Sequence, residues 1–170
     1  FRRDDELEGY DPRTDFSKFV MRKGVDFEDA VVRHLKALVS VYTVPTRPER
    51  SRDLMAAKET FDAMRHGQPV ICQGVLRDAD SRTFGAADLL VRSDELFRLF
   101  LGTIGWDQAS VPAPDLGDSP WHYRVIDIKF TTLHFLVESG LQETQGSTWA
   151  YMVQVYIYNR ALGRLHGYLS

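Results

Sequence analysis

Residues 123–131 read Tyr-Arg-Val-Ile-Asp-Ile-Lys-Phe-Thr, and this stretch decides the fold that we expect. In a strand, successive side chains alternate between the two faces of the sheet, so Asp127 and Lys129 share one face and their apolar neighbours share the other. Upstream, Asp88 stands alone among apolar residues in the run 85–91, Gly-Ala-Ala-Asp-Leu-Leu-Val. Charged groups inside buried strands are rarely left unpaired. The sequence therefore predicts two carboxylates and a lysine that meet.

The overall composition is that of an ordinary globular protein. The chain has 170 residues, of which 44% are hydrophobic and 26% charged, and we expect one domain with a sizeable core. The formal net charge is −3 at pH 7, so any contact with nucleic acid has to be local. The sequence has neither a phosphate-binding loop motif nor a Rossmann glycine fingerprint, which argues against binding of ATP or a dinucleotide.

The cysteine content and the hydropathy pattern exclude several classes of protein. The single cysteine, Cys72, rules out a disulfide framework and a four-cysteine zinc or iron–sulfur site. No run of about 18 apolar residues predicts a membrane span, and the N-terminus has no signal-peptide pattern. We therefore expect an intracellular protein, in the cytoplasm or at the nucleoid or nucleus, with no membrane partner. Because the chain begins at Phe1, one interpretation is that it is a piece of a longer protein.

The periodicity predicts the order helix, strands, helix, strand. We expect a loose lead-in at 1–15 and a single domain over 16–170, with an irregular insertion at about 93–120 in which 95–101 is a short strand or a helical turn. The predicted helices lie at 26–41, between Ser51 and Gly67, and at 147–162, and the predicted strands lie at 69–77, 84–92, 121–131 and 164–169.

The ends of the helices follow from capping residues. Asp26 is the predicted N-cap of the first helix and Ser51 that of the second. Gly67 and Gly163 are predicted to end the second and the last helix. Apolar residues cover most of the circumference of the last helix, which predicts that it is buried.

Glu28 has two interpretations. On a helix that begins at Asp26, Glu28 lies in the arc of apolar residues that faces the body of the protein. A glutamate in a first turn is also favoured by the positive end of the helix dipole, which requires no function. Its position inside the apolar arc favours a functional carboxylate.

Asp127 and Lys129 likewise have a simpler interpretation, an ion pair on the exposed face of an edge strand. Together with Asp88 and Glu28, however, they suggest a chemical site. Carboxylate oxygens are the ligands that Mg²⁺ prefers, and such ions polarise a phosphoryl oxygen and lower the pKa of a bound water. Lys129 suits either of two tasks, which are to position and help deprotonate the attacking water or to stabilise the negative charge of a pentavalent phosphorane.

This constellation resembles the PD-(D/E)xK nuclease superfamily. Asp88 corresponds to the isolated aspartate, and 127–129, Asp-Ile-Lys, corresponds to the (D/E)xK element. The chain looks most like the RecB-like branch, without the iron–sulfur cysteines of some members. The N-terminal helix motif of that branch resembles 24–28, Gly-Val-Asp-Phe-Glu, and its later Gln-x-x-x-Tyr motif resembles Gln154 to Tyr158.

The resemblance implies an α/β fold with a restriction-endonuclease-like core, made of a helix, a three-stranded antiparallel meander, a helix and a strand, with a central mixed sheet flanked by helices. It also implies Mg²⁺ or Mn²⁺ as cofactor. Many RecB-like enzymes have histidine where Glu28 falls, which bears on the choice and number of metal ions. The implied site residues are Glu28, Asp88, Asp127 and the Ile128 carbonyl as metal ligands, Lys129 with these carboxylates in catalysis, and Gln154 and Tyr158 in contact with the DNA backbone or orienting the lysine.

The resulting expectation is a divalent-metal-dependent deoxyribonuclease that acts on single- or double-stranded DNA in repair, recombination or defence. A helicase or another domain of a larger protein is an expected partner. Two alternatives stay open. One is a nuclease-fold module that binds nucleic acid or a partner protein without turnover, and the other is an RNA-directed nuclease of the same fold.

Overall fold

The structure is a computed structural model that describes residues 16–45, 52–131, 135–136, 140–141 and 148–168. The expected lead-in at 1–15 and the predicted cap Ser51 lie outside these residues. The helices of the described chain are α1 (Phe16–Leu38), α2 (Leu54–Arg65), α3 (Ser93–Leu99), α4 (Trp106–Ala109) and α5 (Thr148–Leu165), and its strands are β1 (Val41–Thr43), β2 (Val70–Asp78), β3 (Thr83–Arg92), β4 (Tyr123–Ile126), β5 (Phe135–Leu136) and β6 (Gly140–Leu141).

A four-stranded mixed sheet in the order β1-β2-β3-β4 is the centre of the fold. β2, β3 and β4 pair as an antiparallel meander, whereas β1 pairs with β2 in parallel. The predicted α/β class, with a mixed sheet flanked by helices, is confirmed. β1 was not predicted, because a strand of three residues is too short to show a period of two. β5 and β6 form a separate two-stranded sheet.

Helices cover both faces of the sheet and bury two apolar clusters. On one face, α1 and α3 pack over β2 and β3, where Cys72 and Leu89 are paired and buried. On the other face, α2 and the C-terminal end of α5 bury residues such as Met64 and Leu162 against the sheet. Burying a large aliphatic side chain contributes about 1.5–3 kcal/mol, so these two clusters hold the sheet between its helices.

The first helix is longer at its N-terminal end than predicted, and this changes the meaning of Glu28. α1 begins at Phe16, so Asp26 lies inside it and pairs with Lys23 at 3.7 Å rather than capping it. Residues 16–25 include no proline and belong to the helix. Glu28 therefore lies in the middle of α1, far from the positive end of the dipole, and the helix-dipole interpretation of this residue is wrong.

The second helix is capped by Asp53, whose side chain accepts a hydrogen bond from the Met55 N–H at 2.8 Å. Gly67, with φ +67°, follows its C-terminal residue as predicted, because glycine adopts this left-handed conformation without a steric penalty.

The C-terminal predictions were wrong in two respects. α5 continues through Gly163 to Leu165, and residues 164–168 form the end of this helix and a turn instead of a strand. The helix is also largely exposed, since only Ala161 and Leu162 are buried. The sheet is four strands wide and β4 is short, so residues in the middle of α5 such as Tyr158 are only half-buried against it. None of the described helices is long and apolar enough to cross a membrane.

The insertion folds against the edge of the sheet. Residues 95–101 form part of α3 and a following turn, not a strand, and α4 and a 3₁₀ turn at Pro114–Leu116 follow. Ser93 connects the insertion to the sheet, because its hydroxyl donates to the Ala109 carbonyl at 2.6 Å and accepts from the His122 N–H at 3.1 Å. These contacts fix the point at which the chain enters β4.

Candidate active site

The sheet brings Asp88 and Asp127 together at the end of β4. The last register pair of β3 and β4 is Leu89 with Ile126, so one residue further on Asp88 stands opposite Asp127. The predicted strand 121–131 ends here, because the Ile128 N–H donates to the Asp88 carboxylate (Oδ2, 2.8 Å) instead of to a strand neighbour. A side chain thus ends the ladder and holds the Asp127–Lys129 segment beside Asp88.

Lys129 joins these carboxylates. Its Nζ lies 2.8 Å from Asp127 Oδ1 and 4.0 Å from Asp88 Oδ2. The predicted ion pair does form, directly after the edge strand β4. It is not fully exposed, because the Asp127 side chain is only 6% exposed and the Lys129 side chain 29% exposed. The Tyr151 ring of α5 lies 5.5 Å from the ammonium, which places an aromatic face over the charge.

The electrostatics of the cluster are dominated by excess negative charge. Burial raises the pKa of Asp88 to about 6, and the charges of Asp127 and Glu28 add to this effect, while the Ile128 N–H and the Lys129 ammonium oppose it. Burial by itself lowers the pKa of Lys129, but the hydrogen bond to Asp127 and the charge of Asp88 outweigh it and raise the pKa overall. Asp88 and Asp127 therefore share one ammonium, which stays protonated, and the charge of Glu28 adds to the negative charge around Asp88.

Glu28 reaches the sheet through a residue that the sequence did not single out. The Gln73 side chain donates from Nε2 to Glu28 Oε1. In β2, the residues on either side of Gln73 pair with Leu89 and Ala87 of β3, so Gln73 falls opposite Asp88. The φ angle of Gln73 is +57°. Such a conformation costs a non-glycine residue about 1–2 kcal/mol, and strained backbone of this kind clusters at functional sites. The available signal was a glutamine inside the otherwise apolar run 69–76.

The ligand types at this site suit a hard divalent cation, although the described side chains are not yet arranged as a metal-binding group. Carboxylate oxygens and the Ile128 carbonyl are ligand types that Mg²⁺ and Mn²⁺ accept. Two positive charges would also balance the excess of negative charge described above. Among the residues that the structure describes, however, no three His, Cys, Asp or Glu side chains form a ready-made metal-binding group. The structure brings Asp88 and Asp127 together, and the negative charge of Glu28 on α1 acts on Asp88.

Gln154 and Tyr158 lie on the side of α5 that faces the sheet. Gln154 Nε2 donates to the Tyr158 hydroxyl at 3.1 Å, so the two motif residues contact each other. The Tyr158 ring lies against Gly85 of β3 so closely that an added Cβ would come within 2.4 Å of a ring carbon. Gly85 is thus required for close approach, and this contact sets α5 beside the carboxylates.

A groove leads away from this cluster along α5. Asp127 and Lys129 lie at its inner end, and its volume is about 510 Å³. We call it the α5 groove, and its walls are predominantly apolar. The helix side of the α5 groove is formed by Thr148, Tyr151, Met152, Val155, Tyr156 and Asn159.

Comparisons of this chain with protein-family models, with curated proteins and with solved structures find no match. The interpretation of the site therefore depends on its own geometry. That geometry comprises two adjoining carboxylates, a protonated lysine bonded to one of them, and a glutamate held by a strained glutamine.

Proposed function

We propose that this chain is a divalent-metal-dependent deoxyribonuclease with a restriction-endonuclease-like core of the RecB-like type. The observation that carries the proposal is the cluster of Asp88, Asp127 and Lys129 at the end of β4, where a half-buried pair of carboxylates faces a lysine. The antiparallel meander β2–β4 followed by α5 supports the proposed core. The unpredicted β1 and the turn at 166–168 are departures from it.

The proposed roles follow from the contacts. Asp88, Asp127, the Ile128 carbonyl and Glu28 would hold Mg²⁺ or Mn²⁺, which when bound polarises the phosphoryl oxygen and lowers the pKa of a bound water. Gln73 would orient the Glu28 carboxylate through its hydrogen bond.

The protonation of Lys129 selects between its two expected tasks. A lysine whose pKa is raised keeps its proton, so it is a poor general base for the attacking water. An ammonium 2.8 Å from Asp127 instead donates hydrogen bonds to negative oxygens, and it would stabilise the charge that develops on the phosphorane.

The alternative function is a nuclease-fold module that binds nucleic acid or a partner protein without turnover. The observation that favours it is that the described residues contain no ready-made group of three metal-ligating side chains. An RNA-directed nuclease with the same site is a further variant of the first proposal, and competition between DNA and RNA substrates separates the two.

The test is cleavage of labelled single- and double-stranded DNA in Mg²⁺ and in Mn²⁺. We expect the parent protein to cleave and the variants Asp88→Ala, Asp127→Ala and Lys129→Ala to lose at least about 10²-fold in rate, as removal of a transition-state donor does. Lys58→Ala, at an exposed lysine of α2, is the control and should cleave like the parent. Circular dichroism checks that each variant is folded.

A fully active Lys129→Ala protein would sink the mechanism. Absence of cleavage by the parent in either metal, with DNA still bound, would favour the binding module.

A further inference from the structure

The exposed side of α5 carries large apolar residues in one stripe. Trp149, Met152, Val153 and Tyr156 recur at the spacing i, i+3, i+4 and i+7, which places them on one face of the helix. Trp149 is 61% exposed and Tyr156 65% exposed. Met152 and Tyr156 also line the α5 groove, so this stripe is continuous with the wall that leads to Lys129.

A second cavity adjoins the α5 groove at Asn159. Its volume is about 560 Å³, and Asn159 lines both spaces. We call it the Arg124 cavity, because Arg124 is the cationic residue in its lining. From Thr148 to Asn159 the helix rises about 16 Å. We call the α5 groove and the Arg124 cavity together the track; Asp127 and Lys129 line the first space and Arg124 lines the second.

The Arg124 cavity presents hydrogen-bond donors. His122 donates from Nδ1 to the Val111 carbonyl at 2.9 Å and accepts from Arg124 Nε at 2.8 Å, which fixes its neutral tautomer. His166 Nε2 accepts the Tyr123 N–H at 3.2 Å, so the neutral ring carries its proton on Nδ1. The Arg124 Nη groups make no hydrogen bond to the described residues. A guanidinium with two such nitrogens, beside an imidazole N–H, suits a phosphate oxygen.

We infer that a single-stranded DNA runs along α5, with bases stacked on Tyr156 and Trp149 and a phosphate bound by Arg124, and this inference rests on the proposed function. The track has an aromatic, apolar wall on α5 and two cationic residues, Lys129 and Arg124. Bases of a single strand are free to stack on such a wall, whereas a duplex presents its phosphates outward and keeps its bases inside. At about 3.4 Å per stacked nucleotide, the length along α5 holds several bases.

The experiment measures binding separately from cleavage. Fluorescence anisotropy of a labelled oligothymidine, and of a duplex of equal length, is recorded with the whole chain in EDTA, so that no cleavage occurs. The variants are Tyr156→Ala, Trp149→Ala and Arg124→Ala. Two matched controls lie away from α5: Trp106→Ala, which is similarly exposed at 59%, and Arg98→Ala on α3.

We expect the parent to bind the single strand more tightly than the duplex. Tyr156→Ala and Trp149→Ala should each weaken single-strand binding at least about fivefold, the lower end of what loss of one stacking partner causes. Tyr156→Phe should restore it, because the ring remains. Arg124→Ala should lower the slope of log affinity against log salt by about 1, as loss of a phosphate contact does. Both controls should bind like the parent.

Equal binding of single strand and duplex, or unchanged affinity in the Tyr156 and Arg124 variants, would overturn the track. The parallel cleavage assay keeps the two proposals apart. Cleavage by the parent with unaffected variants would overturn the track and leave the nuclease proposal standing. Weakened binding in these variants without cleavage by the parent would support the track and overturn the nuclease.

Discussion

Replacing Asp88 by asparagine should stabilise the protein while removing the proposed nuclease activity. Burial raises the pKa of Asp88 from 3.8 to about 6, and the negative charges of Asp127 and Glu28 act in the same direction. Asparagine keeps an oxygen that can accept the Ile128 N–H and removes the charge. The ionised carboxylate at this position is therefore a cost to the folded state that the amide avoids.

The magnitude follows from the pKa. A carboxyl whose pKa is 3.8 unfolded and about 6 folded costs about 3 kcal/mol when it is ionised at neutral pH. The side chain is 17% exposed, so solvent screens part of this effect, and we expect Asp88→Asn to raise the free energy of unfolding by about 2 kcal/mol at pH 7.5.

The sign of the pH dependence is fixed as well. A group whose folded pKa is raised stabilises the fold most below its unfolded pKa, and that contribution is lost as the pH rises through the folded value. The difference between the variant and the parent should therefore be largest above about pH 6 and shrink as the pH falls towards 4.

Urea unfolding in EDTA, followed by circular dichroism at several pH values, measures this difference. Asp62→Asn is the matched control, because the Lys58 hydrogen bond lowers the pKa of that exposed carboxyl and its loss should not stabilise the protein. A parent and an Asp88→Asn variant of equal stability at pH 7.5 would refute the view that Asp88 is ionised at a cost to folding.

Three further predictions concern the surroundings of the site. Gly85→Ala should destabilise the protein by about 1–3 kcal/mol in urea unfolding, because the new methyl group overlaps the Tyr158 ring, and the double variant with Tyr158→Ala should lose less than the sum of the single changes. Burial lowers the pKa of His166 to about 4, so the contribution of this residue to stability should fall by about 3 kcal/mol as the pH drops from 6.5 to 4, against the opposite contribution of Asp88, and the stability difference between the parent and a His166→Gln variant should change by that amount. Gln73→Gly should bind Mn²⁺ about tenfold or more weakly in a fluorescence or calorimetric titration while remaining folded, because Glu28 loses the donor that orients it; unchanged affinity would exclude Gln73 from that role.

Local patterns predicted the centre of the sheet. The predicted strands at 69–77 and 84–92 correspond to β2 and β3, displaced by one residue at an end, because alternation and the turn between them are read within a few residues. The contact of Asp127 with Lys129 was also predictable, since two residues in extended backbone put their side chains on one face. The approach of Asp88 to Asp127 depends on the pairing of β3 with β4.

The exposure of helices was not predictable from local patterns. α5 has the composition of a buried helix, yet Trp149 and Tyr156 are exposed, because the width of the sheet decides how much of a helix it covers. The end of β4 likewise depends on the Asp88 side chain, forty residues from the Ile128 N–H that it binds.

The amino-acid sequence was sufficient for the α/β class and for the pairing of Asp127 with Lys129, because these depend on neighbouring residues and on the period of two, while the meander was implied by the resemblance. Only the tertiary structure decided that Gln73 adopts a left-handed conformation across from Asp88 and holds Glu28, and that α5 presents an apolar stripe beside Lys129. These features depend on contacts between segments far apart in the chain. Local sequence patterns do not predict them, because the burial of a side chain and the strain of a backbone residue are decided by how those segments pack.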